Sequence, residues 1–160
     1  MSAPRNSRRA LLLAVTGFTA IGAVSASAFS EQIAMSWQTS APPDRVTAVD
    51  PENMTGAGTA TFANGDKAEF VAHSVHPLTN SLAGGTAVTD WVYKFDDGSG
   101  FKMHSVAIWN TSVLRATGLL SDGAGRFADM TGSATGVGKP PGYGHPITVL
   151  WTGTYELPKD

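Results

Sequence analysis

Short runs of alternating hydrophobic and polar positions recur along most of this chain. They lie at 59–62, 67–73, 86–95, 101–109, 113–120, 131–138 and 148–157. A period of two is typical of β-strands that bury one face. No stretch of a dozen residues shows the 3.6-residue periodicity of a helix. The pattern therefore predicts an all-β fold.

Two of these runs predict which face is buried. In 86–95 one face carries Ala87, Thr89, Trp91, Tyr93 and Phe95, and we predict that this largely aromatic face is inside. In 101–109 the Val106 and Ile108 end is apolar on both faces. We therefore expect the sheet to be covered on both sides there.

Glycine-rich turns separate the predicted strands. Asn64-Gly65 favours a two-residue hairpin turn, and 96–100 predicts a second hairpin with a longer loop. Short strands at regular spacing indicate a sandwich or a barrel. Glycines at interior strand positions, which tight bending requires, favour the barrel; they are Gly118, Gly132, Gly136 and Gly153. We predict a closed antiparallel up-and-down β-barrel of about eight strands.

The first 28 residues have the features of a cleaved export signal. Arg5, Arg8 and Arg9 precede an apolar stretch at 10–20, and Ala26-Ser27-Ala28 supplies the small residues of a cleavage site. The apolar stretch is shorter than the roughly 20 residues that span a bilayer. We therefore expect a periplasmic or secreted chain without a membrane anchor. The paired arginines resemble a twin-arginine signal, and an ordinary Sec signal remains the alternative.

The predicted organisation has three parts: a signal peptide at 1–28, an N-terminal entry segment at 29–54 that contains Pro42-Pro43, and a β-barrel domain at 55–160.

Charge and cysteine content exclude several functions. Three of the 11 basic residues lie in the leader and all 13 acidic residues follow it, so the mature chain would carry a net charge of −5. Nucleic acids and anionic membranes need clustered Lys and Arg, so we expect neither as a partner. The chain has no cysteine, which excludes disulfides, thiolate metal sites and cysteine nucleophiles.

Three segments of the second half carry a family resemblance. They are Tyr93-Lys94-Phe95-Asp96-Asp97-Gly98-Ser99, Asp122-Gly123-Ala124-Gly125-Arg126-Phe127-Ala128-Asp129-Met130-Thr131-Gly132, and Trp151-Thr152-Gly153-Thr154-Tyr155. They resemble the closing strands of allene oxide cyclase-like and dirigent-like barrels. The resemblance implies an eight-stranded barrel with a ligand cavity and a homo-oligomer, a trimer or a dimer. Cyclase chemistry is not carried over, because this chain has no cysteine and no glutamate that aligns with a catalytic one.

Several side chains are candidates for a site. An aromatic pocket with one polar contact would use Trp91, Tyr93, Trp109, Trp151, Tyr155 and Arg115. Acid–base catalysis would have His104, Tyr143, Asn110 and Glu69 as its candidates. His73 and His76 are the candidate metal ligands, but residues three apart on a strand face opposite sides, and we predict no metal or other cofactor.

Three hypotheses about function follow. The first is an exported barrel that binds a small hydrophobic or aromatic ligand in its interior. The second is an isomerase, cyclase or lyase that acts in the same cavity. The third is a structural envelope protein. The absence of a recognisable acid–base constellation favours the first.

Overall fold

A computed structural model of the chain describes residues 31–49, 52–75, 83–139 and 145–158. This part of the chain forms nine strands: β1 Ile33–Ala41, β2 Val46–Ala48, β3 Asn53–Phe62, β4 Lys67–Val75, β5 Gly84–Phe95, β6 Gly100–Asn110, β7 Leu114–Ala124, β8 Thr131–Gly138 and β9 Ile147–Glu156. Its helical residues lie in two 3-10 turns, Pro43–Arg45 and Gly125–Phe127. No helix among the described residues is long and apolar enough to cross a membrane.

Eight of the strands close into an antiparallel barrel. Strands β3 to β9 form a meander in which each strand pairs with the next. Strand β1 closes the sheet, because it pairs with β9 from Ile33↔Tyr155 to Ala41↔Ile147 and with β3 at Trp37↔Phe62. Strand β2 pairs with the first half of β3. The predicted eight-stranded up-and-down barrel is confirmed.

The barrel begins earlier than the predicted domain boundary at residue 55. Strands β1 and β2 lie in the segment 29–54 that the sequence suggested to be an entry segment. Strand β1 directs Trp37, Thr39 and Ala41 into the interior. Its inward row includes a threonine and runs into Pro42-Pro43, and these two features hide the strand periodicity.

The Asn64-Gly65 hairpin is present, but its turn differs from the predicted two-residue type. The Phe62 N–H donates to the Asp66 carbonyl, and the Gly65 N–H donates to the Phe62 carbonyl. The loop thus has three residues, and Gly65 adopts a φ of 92°. This geometry is a type I turn followed by a glycine bulge, in which Asn64-Gly65 takes the second and third positions. The side-chain carbonyl of Asn64 accepts from the Asp66 N–H at 3.1 Å.

The predicted burial of the aromatic face of β5 is confirmed. Ala87, Thr89, Tyr93 and Phe95 are buried and Trp91 is half-buried. The prediction for β6 is wrong: the side chains of Val106 and Ile108 lie on the outer face with 46% and 56% of their surface exposed. Alternation separates the two faces of a strand but does not show whether a second layer covers the outer one.

The interior is divided into two halves along the barrel axis. At the end that carries the β3–β4 and β5–β6 hairpins, which we call the hairpin end, large rings fill the lumen. We call this set the aromatic cluster; its members are Trp37, Phe62, Tyr93, Phe95, Phe101 and Phe127. Its centroid distances run from 4.6 Å for Tyr93–Phe101 to 6.3 Å for Trp37–Phe101, which is the range of favourable ring packing.

Arg126, which lies between β7 and β8, contacts residues of the β3–β4 and β5–β6 connections at the hairpin end. Its Nη2 lies 2.6 Å from Oδ2 of Asp66, and its Nε lies 3.7 Å from Oδ2 of Asp97. Its guanidinium carbon lies 4.6 Å above the centre of the Phe95 ring. The hydrogen bond from the Ser99 hydroxyl, followed by the one from the Ser99 N–H, lowers the pKa of Asp97. These contacts link the β3–β4, β5–β6 and β7–β8 connections to one another.

Candidate functional site

Small residues line the interior at the opposite end, which we call the cavity end. One register row crosses β5 to β8 as Ala87, Ala107, Ala116 and Gly136. A second crosses β4 to β8 as Ser74, Thr89, Ser105, Gly118 and Ala134. Eight-stranded barrels have a lumen that large side chains can fill. Two rows without a large side chain therefore leave space.

That space is a cavity of about 70 Å³. Among the described residues its lining is mainly apolar: Ala41, Val46, Met54, Gly56, Phe70, Ala72, Ala87, Trp91, Ala107, Trp109, Leu114, Ala116, Ile147, Val149 and Trp151, with the hydroxyls of Ser74, Thr89 and Ser105. The volume exceeds what one water needs and is roughly half of the about 150 Å³ that holds benzene in a protein interior. It fits a small molecule.

Tryptophans separate the cavity from the aromatic cluster. Trp151 stacks on Trp37 at 6.0 Å, and Trp91 meets Trp151 edge to face at 5.9 Å. The Trp151 indole N–H donates to the Thr39 hydroxyl, which donates to the Val149 carbonyl, both at 3.3 Å. The Trp91 indole N–H donates to the Ser105 hydroxyl at 2.9 Å. These bonds hold both rings in place, because a buried indole N–H without a partner is costly.

Three of the six predicted ligand contacts line this cavity, namely Trp91, Trp109 and Trp151. Tyr93 lies deeper, in the aromatic cluster, where its hydroxyl accepts from the Trp37 indole N–H at 3.3 Å. Burial raises the pKa of Tyr93 well above its usual range, and the hydrogen bond from Trp37 opposes that shift. Tyr155 is at the hairpin end, 5.9 Å from Phe127, and the Arg115 side chain is exposed on the outer face.

The three predicted acid–base residues that the structure describes lie away from the cavity. Glu69, His104 and Asn110 are exposed on the outer face. His104 pairs there with Asp90 at 2.6 Å, and the Asn110 side chain accepts from the backbone N–H groups of the β6–β7 turn. Tyr143 lies outside the described residues.

Of the two predicted metal candidates, the structure describes one. His73 is exposed on the outer face of β4, and His76 lies outside the described residues. Within the described ranges no group of three or more His, Asp or Glu side chains is arranged to hold a metal ion.

The sequence did not predict a pair of hydroxyls in the cavity wall. Ser74 and Thr89 are register partners on β4 and β5, and their hydroxyl oxygens lie 2.9 Å apart. Thr89 was assigned to the buried face of its strand, but nothing suggested its contact with Ser74. The available signal is the hydroxyl residue that each of β4, β5 and β6 places at an inward position, with Ser105 as the third.

A larger depression of about 750 Å³ lies at the hairpin end, along β1, β9 and Arg126. It is open to solvent, and its charged residues, Arg126 and Asp66, are already paired with each other. We place the candidate site in the smaller cavity inside the barrel, because concave apolar space with a few polar groups is what binds small molecules.

Comparisons of this chain with models of protein families, with curated proteins and with solved structures found no match. The case for function therefore depends on the geometry of the site.

Proposed function

We propose that this chain is an exported β-barrel protein that binds a small apolar molecule in the cavity at the cavity end. The observation that carries the proposal is the position of the cavity. It lies inside the barrel, beside two rows of small residues and next to tightly packed rings. A cavity that a single larger side chain could fill costs stability. A function that needs the space accounts for that cost.

Binding fits the lining better than acid–base catalysis. The described residues around the cavity include no Asp, Glu, His, Lys, Arg or Tyr. General acid–base catalysis needs a titratable group within hydrogen-bond reach of the reacting atoms. Within the described part of the lining, no base lies beside the hydroxyls of Ser74, Thr89 and Ser105 to activate them as nucleophiles.

Export and family membership belong to the same proposal. The arginines, apolar core and small-residue cleavage site of 1–28 support export of the mature chain. The motifs around Gly125 and Gly153, together with the eight-stranded barrel, support membership of the allene oxide cyclase-like and dirigent-like superfamily. The homo-oligomer implied by that resemblance stays a prediction. Intact mass of the exported chain tests the leader, since cleavage after Ala28 leaves Phe29 as the first residue.

The test of binding compares the wild-type chain with Ala107→Leu. Both proteins are purified from the cells that export them, and their organic extracts are analysed by gas chromatography and mass spectrometry. Leucine at 107 projects into the cavity and fills it, so we expect a compound that the wild-type retains and the variant lacks. Ile108→Val, on the outer face of the same strand, is the matched control and should retain the compound. The same extract from wild-type and Ala107→Leu would contradict the proposal.

A further inference from the structure

The Ser74 and Thr89 hydroxyls form a buried pair in the wall of the cavity. Their oxygens lie 2.9 Å apart, and the two residues are only 8% and 5% exposed. Both line the apolar cavity. Either oxygen can be the donor of the bond between them.

Counting hydrogens shows that one donor of this pair is unused. Two hydroxyls carry two hydrogens, and a single hydrogen lies between the two oxygens. Among the described residues neither hydroxyl makes another hydrogen bond. Whichever of the two donates, the other keeps a hydrogen without an acceptor. A buried polar group in that state is costly, so an occupant that accepts a hydrogen bond is favoured.

The third hydroxyl of the cavity differs from this pair. The Ser105 oxygen accepts from the Trp91 indole N–H at 2.9 Å and lies 3.5 Å from the Thr89 carbonyl, to which it donates. Its hydrogen therefore has an acceptor within the protein. Ser105 is a matched comparison for Ser74 and Thr89, because it has the same chemistry in the same cavity.

We infer that the ligand is a small neutral molecule with one hydrogen-bond acceptor, such as a carbonyl or ether oxygen, which the unused hydroxyl hydrogen of the Ser74–Thr89 pair recognises. This inference rests on the proposed function and names its ligand class. The apolar lining selects a hydrocarbon body. No cationic side chain stands among the described lining residues to balance an anion, so a neutral oxygen is preferred over a carboxylate.

The test uses two probes of similar size, acetone and isobutane. Isobutane has a methyl group where acetone has its carbonyl oxygen. Dissociation constants come from NMR titrations that follow the indole N–H signals of Trp91 and Trp151. In the double variant Ser74→Ala/Thr89→Val the pair is removed, and we expect acetone binding to weaken by about fivefold, the value of one neutral hydrogen bond. Isobutane binding should stay the same or tighten.

Single variants sharpen the test. Ser74→Ala or Thr89→Val alone leaves one hydroxyl whose hydrogen is still unused, so acetone affinity should stay within about twofold of wild-type. Val88→Ala, on the outer face of β5 beside Thr89, is the control and should keep the selectivity. The double variant replaces both partners by apolar groups of similar shape, so it should fold, and the melting temperature checks this.

The outcomes separate the two proposals. Suppose that isobutane binds the wild-type protein. If the double variant then leaves the affinity for acetone unchanged, or lowers the affinities for both probes equally, the acceptor class is wrong while the binding function stands. If neither probe binds the wild-type protein, the binding function itself is overturned, and the acceptor class with it.

Discussion

The rings of Phe62 and Phe95 lie 5.1 Å apart, and each phenylalanine is the last residue of a strand that enters the same kind of turn. In both hairpins the phenylalanine N–H donates to the carbonyl four residues later, and its carbonyl accepts from a glycine N–H three residues later. In both, a side-chain oxygen of the residue before the glycine accepts from the N–H of the residue after it. Two copies of one local motif thus bring two rings of the aromatic cluster together.

The shared turn predicts equal sensitivity at its two glycines. Gly65 and Gly98 have φ values of 92° and 80°, and an added Cβ would meet no atom within 4 Å at either position. Gly65→Ala and Gly98→Ala should therefore each lower the free energy of unfolding by about 1–2 kcal/mol through backbone strain alone. Urea unfolding measures the loss. Asparagine tolerates this conformation better, so the two Gly→Asn variants should lose less, and equal losses for Ala and Asn would exclude this explanation.

Gly136 is required for a different reason, which is contact with Trp151. An added Cβ would lie 2.8 Å from Cε3 of the Trp151 ring. That ring is buried on Trp37 and held by its hydrogen bond to Thr39, so it has little room to move. We expect Gly136→Ala to cost about 1–3 kcal/mol in urea unfolding, the usual cost of overpacking.

Gly56→Ala is the control for that variant. The atom nearest to its added Cβ, Cγ2 of Val46, is 3.9 Å away, which is ordinary van der Waals contact. Its stability should stay within about 0.5 kcal/mol of wild-type. A similar loss in both variants would show that strand glycines in this barrel matter for flexibility and not for the Trp151 contact.

Because of Tyr93, we predict that the free energy of unfolding depends on pH in the alkaline range. Burial raises its pKa in the folded chain, so the folded state keeps a proton that the unfolded state releases above about pH 10. The stabilising effect of the neutral phenol is complete below the unfolded pKa and is lost as the pH rises above it, by about 1.4 kcal/mol per pH unit.

The variant Tyr93→Phe isolates this effect from other groups that titrate in the same range. At pH 9 it should be less stable than wild-type, because the Trp37 indole N–H loses its acceptor. The difference should shrink by about 1 kcal/mol between pH 10 and 11 in urea unfolding, because half of the unfolded phenols are already ionised at pH 10. A difference that stays constant over this range would mean that Tyr93 ionises as easily in the folded chain as in the unfolded one.

Strand alternation predicted the closed barrel and the part of the cavity wall that β5 provides. Ala87, Thr89 and Trp91 of the predicted inward face of β5 all line the cavity. Alternation is a local property, and it assigns each side chain to one of two faces. That is enough to predict which residues are inside.

The pairing of Ser74 with Thr89 could not be predicted, because it depends on the register between β4 and β5. A shift of one residue would turn Thr89 to the outer face, and the sequence of one strand does not define its partner's position. Strand β1 was missed for a related reason. Its inward Thr39 looks polar in the sequence and is satisfied only once Trp151 and Val149 of β9 lie beside it.

Trp91 lines the cavity, and its removal should change which molecules fit. The ring is half-buried between Phe70 at 5.3 Å and Tyr93 at 6.2 Å. Trp91→Ala should lower the free energy of unfolding by about 3 kcal/mol, at the lower end for large aromatic truncations because the ring is partly exposed. It should also enlarge the cavity toward the volume that accepts benzene.

Benzene is therefore the probe that separates the two effects. A saturating concentration should raise the melting temperature of Trp91→Ala and leave that of the wild-type protein unchanged, since a ligand stabilises only a folded state that has space for it. The outward neighbour Val92→Ala should lose less than about 1 kcal/mol and show no response to benzene. If benzene stabilises wild-type and Trp91→Ala equally, Trp91 does not limit the cavity. If Trp91→Ala costs less than about 1 kcal/mol, the ring is not part of the packed interior that separates the cavity from the aromatic cluster.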